Sequence, residues 1–259
     1  MTLTVTTVQI DLIWEDKAAN FQKMDNLLRG CETDLVVLPE MFTTGFSMQP
    51  EKLADVYIGE TIEWMQEKAV ALNAAITGSF ICLENGRYYN RLLFVKPDGS
   101  FFKYDKRHLF TFGKENEHYT EGVEKLIVEW RGWRICPLIC YDLRFPAWSR
   151  NQKIDGYYDL LLYVANWPTQ RSLAWKSLLT ARAIENQSYV VGVNRVGEDG
   201  NGILHSGDSS VIDYEGTLLS QHPNTEWVNT TTLFKDKMEK FRTKFGFLED
   251  QDSFLFNTR

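Results

Sequence analysis

Trp133-Arg-Ile-Cys-Pro-Leu-Ile-Cys-Tyr-Asp-Leu-Arg-Phe-Pro146 opens as an apolar run of strand length, Ile135 to Ile139, and stops abruptly at Cys140. Beyond it Tyr141, Asp142 and Arg144 replace the apolar residues. A cysteine at the end of a buried strand sits at the rim of a sheet. There its sulfur faces a pocket, and the next backbone N–H groups point at the same spot. That is the geometry a thiol nucleophile needs, with an oxyanion-binding donor beside it. Taken alone, the stretch favours a buried structural cysteine, because free Cys is among the most buried residue types. Two other stretches change that balance.

Leu38-Pro39-Glu40 and Tyr104-Asp105-Lys106 repeat the pattern. Each follows a run of strand character and ends on a charged residue. A carboxylate just past an apolar run is costly unless it is paired or functional. Singly, Glu40 reads equally as a loop cap and Lys106 as a solvated surface lysine. Jointly, Glu, Lys and Cys at three element ends supply a base, a cation and a thiol, the set needed for thiol acyl transfer.

Composition bounds the rest. The 259 residues are enough for one large core, and 44% hydrophobic with 24% charged is an ordinary globular balance. Net charge is −7 and no basic run appears, which argues against nucleic-acid and anionic-membrane partners. Residues 1–10 carry no basic n-region, and the run Leu160 to Ala165 is far too short to span a bilayer. The four cysteines, Cys31, Cys82, Cys136 and Cys140, are sparse, which suits a reducing cytoplasm better than a disulfide framework. Cys136 and Cys140 are spaced to share one face of a strand. With no second pair and no His at ligand spacing, zinc is not expected.

Along the chain, strand and helix alternate and hairpins interrupt. Leu3 to Ile10 alternates like a strand. A helix is expected from Lys17 to Arg29 with Asp16 as N-cap, and others over Glu60 to Leu72, Ser172 to Asn186 and Phe234 to Lys244. Asp34 to Glu40 and Asp159 to Ala165 are apolar enough to be strands covered on both faces. Ala75 to Leu83, Tyr89 to Val95, Phe101 to Tyr104, Glu124 to Trp130, Tyr189 to Val193 and Trp227 to Leu233 are further strands. Gly207 to Asp213 and Thr217 to Ser220 form a hairpin. The stretch after Gly113 reads as a polar loop. Strands outnumber helices, which fits an α/β fold of stacked sheets with helices outside, one domain over residues 1–259. The aromatic-rich tail from about residue 235 is expected to pack on the domain or on a neighbouring subunit.

The order Leu38-Pro-Glu40, Lys106, then Cys140-Tyr-Asp-Leu-Arg-Phe-Pro146 resembles the nitrilase superfamily of carbon–nitrogen hydrolases, from about residue 5 to about residue 235. The segments Pro39 to Phe46, Tyr104 to Phe110, Tyr163 to Pro168, Thr180 to Gln187 and Gly207-Asp-Ser209 are similar to the bacterial ω-amidase branch, which acts on 2-oxoglutaramate. The resemblance implies a four-layer α-β-β-α sandwich that pairs as a homodimer, with the helix Ser172 to Asn186 at the contact. It implies Cys140 as nucleophile, Glu40 as general base, and Lys106 with the Tyr141 N–H as the oxyanion site. It also implies a second glutamate near the lysine. Glu115 fits by its spacing to Gly122, and Glu117 competes. No metal or organic cofactor is implied.

The implied substrate, a small 2-oxo dicarboxylic acid monoamide, carries a carboxylate remote from the scissile bond. Arg144 is a candidate partner, since bidentate carboxylate binding suits Arg, although an ion pair with Asp142 is an equal reading. Phe42, Phe46, Tyr141 and Trp167 are candidate pocket walls, and Arg171 and Arg195 more distant cations. His108 and His118 are set aside, because the Glu–Lys–Cys set already supplies the chemistry. An aliphatic amidase, an N-carbamoyl hydrolase, a nitrilase, a non-hydrolytic acyltransferase or a scaffold are the competing readings.

Overall fold

In the computed structural model, which describes residues 1–256, two seven-stranded sheets stack face to face. In chain order the strands are β1 (Thr2–Gln9), β2 (Leu35–Val37), β3 (Asp55–Val56), β4 (Ala75–Glu84), β5 (Arg87–Val95), β6 (Phe101–Asp105) and β7 (Val128–Trp130). There follow β8 (Trp133–Ile139), β9 (Leu160–Ala165), β10 (Tyr189–Asn194), β11 (Val196–Glu198), β12 (Leu204–Ile212), β13 (Leu218–Pro223) and β14 (Trp227–Phe234). The first sheet runs β14-β1-β2-β4-β5-β6 with β3 beside β4. The second runs β11-β12-β10-β9-β8-β7 with β13 beside β12.

Side-chain alternation builds the layers. On β2, Leu35 and Val37 enter the core between the sheets, while Val36 and then Leu38 enter the core beneath the helices. Leu92 and Phe94 of β5 face one way and Leu93 and Val95 the other. The strands therefore read as unbroken apolar runs because both faces are buried. The helices Lys17–Leu27 and Glu60–Leu72 cover the first sheet with Phe21, Met24, Ile62, Met65 and Ala69. The helix Ser172–Asn186 covers the second with Trp175, Leu179 and Ala183. This is the expected four-layer α-β-β-α sandwich.

Local signals held where their physics is local. The Asp16 side chain accepts from the Ala19 N–H at 3.0 Å and caps the first helix. Asn85-Gly86 closes the β4–β5 hairpin with φ of 53° and 72°, the pair of positive values that a two-residue turn of this hand requires. Other expectations are corrected. The first helix ends at Leu27, the strand expected from Glu124 is only Val128–Trp130, and Glu115–His118 form a short helical turn rather than loop. Cys140 lies outside β8 in a 3-10 turn, Cys140–Arg144, so Cys136 and Cys140 do not share a strand face.

The chain after β14 forms the helix Lys235–Lys244, with Met238 buried in the core between the sheets and Phe241 half-buried against it. Beyond it, Leu248 is buried, the Gln251 amide donates to the Asn151 carbonyl, and Phe256 lies edge-on to Trp148 at 5.1 Å.

Candidate active site

Glu40, Lys106 and Cys140 each lie one to three residues past a strand, β2, β6 and β8, and the stacked sheets bring them into one cavity of about 340 Å³. That volume suits a small ligand. A wider hollow of about 610 Å³ between residues 152–157 and the tail holds none of the three. The smaller cavity, which gathers all three, is the candidate site.

Lys106 is the hub. Its ammonium sits 2.7 Å from Glu40 Oε1 and 2.9 Å from Glu115 Oε2, with all three side chains essentially inaccessible. Glu117, the competing acid, is exposed, so Glu115 is the carboxylate that joins the cluster. Two partners had no signature in the sequence. The Asn90 amide donates to Glu40 at 2.8 Å and to Glu115 at 3.0 Å. The Asn166 N–H donates to Glu40 Oε2 at 2.8 Å, and its side-chain amide to the Glu40 carbonyl at 2.5 Å. The Phe110 N–H donates to Glu115 at 2.6 Å. Buried carboxylates persist only with such partners. Asn90 lies within β5 and Asn166 just past the end of β9, positions where a polar residue is locally unremarkable; only the sheet pairing reveals what they meet.

Left-handed backbone clusters here. Cys140 has φ +41°, Met41 after Glu40 has +43°, and Lys114 before Glu115 has +61°. None is glycine, so each carries strain that the surrounding packing must hold. Asp142, fully buried, holds the cysteine turn. It accepts from the Ile139 N–H at 3.0 Å, the Tyr104 hydroxyl at 2.7 Å, and both the N–H and Nδ1 of His108 at 3.0 and 2.8 Å. Asp142 thus ties the Cys140 turn to the segment that carries Lys106. The Arg144–Asp142 ion pair does not form, because those four donors already surround the carboxylate. His108 stacks on Phe145 at 3.8 Å and serves this brace.

The electrostatics follow from the burial. Burial pushes the Cys140 thiol well above its ordinary value; the Glu40 carboxylate adds to this and the Lys106 ammonium opposes it. The expected thiolate-stabilising effect of Lys106 is present but outweighed. Lys106 itself is held protonated, since Glu115 and Glu40 overcome the penalty of its burial. Glu115 is raised by burial, against the pull of Lys106. The resting pair is therefore a neutral thiol beside a buried ion cluster.

The cavity wall is aromatic. Tyr141, Trp167, Phe46, Phe110 and Phe112 line it, with Phe112 85% exposed at the mouth. Arg144 and Arg171 line it too, stacked over Trp167 at 4.8 Å and Phe110 at 5.4 Å. Phe42 does not. The +43° turn at Met41 sends it to the helix side, against Phe21 and Trp64 at 6.4 and 5.7 Å. Arg195 is also misplaced by the sequence reading: it is fully buried, bonded to Asp11 and to the carbonyls of Leu12, Val196 and Glu198. His118 lies outside the cavity lining. Among the described residues no helix is long and apolar enough to cross a membrane, and no group of three His, Cys, Asp or Glu is placed to hold a metal.

A four-layer sandwich that brings a buried Glu–Lys–Glu cluster and a cysteine into one cavity suits an amidohydrolase, and the comparisons give that class. The carbon–nitrogen hydrolase family matches residues 4–242. The chain belongs to that family. It is 46% identical over 254 residues to the omega-amidase YafV of Escherichia coli K12, covering 97% of this chain and 98% of that protein. It is 32% identical over 255 residues to the 2-oxoglutaramate amidase of Bacillus subtilis 168, covering 96% and 98%. The crystal structure of XC1258 from Xanthomonas campestris, a CN-hydrolase superfamily protein, superposes with a TM-score of 0.97 at 45% identity, covering 99% of this chain and 100% of that one. Nit3 of Saccharomyces cerevisiae, of the nitrilase superfamily, superposes at 0.85 with 25% identity, covering 94% of each chain.

Proposed function

We propose that this protein is an ω-amidase that hydrolyses the terminal amide of small 2-oxo dicarboxylic acid monoamides, 2-oxoglutaramate and 2-oxosuccinamate, to the 2-oxo acid and ammonia. The observation that carries the chemistry is the buried Glu40–Lys106–Glu115 cluster beside Cys140. The substrate class rests on the similarity to ω-amidases over nearly the whole chain.

As the Cys140 sulfur attacks the amide carbon, its proton passes to Glu40, so no free thiolate is needed in the resting enzyme. The carbonyl oxygen takes up the electron pair. The Lys106 ammonium and the Tyr141 N–H stabilise it, since the first N–H groups of a helical turn have no partner within the turn. On collapse the C–N bond breaks and Glu40 returns its proton to the departing nitrogen, which leaves as ammonia. Glu40 then takes a proton from water, whose oxygen attacks the thioester carbon. The C–S bond breaks, the sulfur regains a proton, and the 2-oxo acid leaves. Asn90 and Asn166 hold the Glu40 carboxylate in position for both halves. Glu115 keeps Lys106 charged and fixed. Trp167 and Tyr141 wall the acyl chain, and the Arg144 guanidinium meets a carboxylate at its far end.

The enzyme works in the cytoplasm as a homodimer, with the outer face of the helix Ser172–Asn186 at the contact. Leu173, 77% exposed, and the exposed Ile184 lie on that helix and support this.

Ammonia release tests the substrate: 2-oxoglutaramate, 2-oxosuccinamate, glutamine, asparagine, an aliphatic amide, an N-carbamoyl amino acid and a nitrile, each with wild type and Cys140→Ala. Release from the 2-oxo amides, lost in the variant, supports the reading. Faster release from another compound assigns the same Glu–Lys–Cys chemistry to that substrate instead.

A further inference from the structure

Arg144 and Arg171 differ from the other arginines of the interior. Arg91, Arg182, Arg195 and Arg242 each hold a carboxylate. Among the described residues Arg144 and Arg171 make no ion pair, although both line the cavity that contains Cys140. Each is held by a ring of the same cavity. In a protein of net charge −7, two guanidiniums left without an anion in one cavity point to an anion that arrives from outside.

Arg171 is also badly sited for its own helix. It immediately precedes Ser172 at the N-terminus of the 15-residue helix Ser172–Asn186, whose first turn carries no acidic residue. A cation there opposes the helix dipole, so helix stability gives no reason for it.

A second polar group faces the same space. His205, on β12, lines the cavity, is 6% exposed, and its Nδ1 is buried without a hydrogen-bond partner. A buried ring nitrogen left unpaired is costly unless a ligand satisfies it. Burial and the nearby Arg195 lower its pKa to about 4, so it meets that ligand as a neutral ring. Asp199, the acid at the cavity rim, is engaged with the backbone N–H groups of Asn201 and Ile203 at 2.8 and 3.0 Å.

We propose that Arg171 and His205 form a specificity subsite that accepts the 2-oxo acid end of the substrate and excludes the α-ammonium of the corresponding amino acid. The inference rests on the ω-amidase reading and adds how such a site separates 2-oxoglutaramate from glutamine. The two molecules share the amide and the carboxylate. They differ in an uncharged oxo oxygen against an ammonium. Arg171, in the same cavity as Arg144, repels that ammonium, and the neutral His205 donates a hydrogen bond from Nδ1–H to the 2-oxo acid end without adding a counter-charge.

The test compares kcat/KM for 2-oxoglutaramate and for glutamine in wild type, Arg171→Gln, Arg171→Lys and His205→Phe, with the inhibition constant of 2-oxoglutarate measured alongside. Arg171→Gln lowers the ratio of the two kcat/KM values by roughly 10–100-fold and weakens 2-oxoglutarate inhibition by about tenfold or more. Arg171→Lys, which keeps the charge, retains most of the ratio; His205→Phe, which keeps the ring shape, loses part of it. An unchanged ratio and inhibition constant in Arg171→Gln overturn the subsite and leave the ω-amidase reading intact. An equal loss of kcat on both substrates also overturns it, because that is the mark of a structural role. Wild type that does not prefer 2-oxoglutaramate over glutamine overturns the subsite and the ω-amidase reading together.

Discussion

Lys106 Nζ lies 2.7 Å from Glu40 Oε1, with 1% and 0% of their side-chain surfaces exposed. A pair so buried is poor value for stability alone, since desolvation offsets most of its attraction. Its worth lies in a fixed charge next to Cys140. Glu40→Gln keeps the shape and one acceptor but cannot take a proton. The kcat for amide hydrolysis is expected to fall about 10²–10⁴-fold, with the far-UV spectrum unchanged. A normal kcat removes Glu40 from the base role.

Glu115 and Glu117 are two residues apart and differ wholly in setting. Glu115 is buried against Lys106, Asn90 and the Phe110 N–H, and Glu117 is exposed. Glu115→Gln is expected to cost at least about tenfold in kcat/KM, because it unbalances a buried charge cluster. Glu117→Gln should stay within about twofold of wild type. Steady-state kinetics on both variants decides, and the reverse order would refute the assignment.

Asp142 acts through what it holds. Asp142→Asn replaces one acceptor oxygen with a donor amid four donors, at a turn whose first residue has φ +41°. Thermal or denaturant unfolding should show a loss of about 1–3 kcal/mol. Because the turn carries Cys140, the rate of haloacetamide alkylation at Cys140 should change too. A variant with wild-type stability and alkylation would mean that the brace is idle.

His205 makes stability pH-dependent with a definite sign. Its pKa is lowered from 6.5 to about 4 in the fold. Above pH 6.5 the ring is neutral in both states and nothing changes. Between 6.5 and about 4 the unfolded chain binds a proton that the folded chain refuses, so stability falls as pH falls, by up to about 3 kcal/mol. Urea unfolding across that window should show a shallower decline in His205→Phe than in wild type. Parallel curves would show that the ring takes its proton normally.

Much of this was legible in the sequence, for a physical reason. Strands buried on both faces are apolar throughout, so Glu40 and Cys140 stand out where such runs end; β6 is a half-exposed edge strand, and Lys106 is marked only as a charged residue that follows it. The direction of a side chain after the run is not legible. Phe42 follows Glu40 by two residues, yet the left-handed turn at Met41 buries it under the helices rather than in the cavity. Asn90 and Asn166 were missed because their partners are 50 and 126 residues away. The short strand β11 carries no period strong enough to mark it, since a three-residue sheet edge has little apolar surface to hide, whereas the β12–β13 hairpin is found where the sequence places one. Arg171, a candidate cation in the sequence, does reach the cavity, whereas His205 looks like a surface polar residue until the sheets bring it there.

The central claim is a thioester on Cys140. Rapid quenching of the enzyme during turnover of 2-oxoglutaramate, followed by intact-mass and peptide mass spectrometry, tests it most directly. An adduct of the substrate's mass less ammonia is expected on the peptide bearing Cys140, converted to a hydroxamate product by hydroxylamine and absent in Cys140→Ala. Full turnover by Cys140→Ala, or an adduct on another residue, would contradict it.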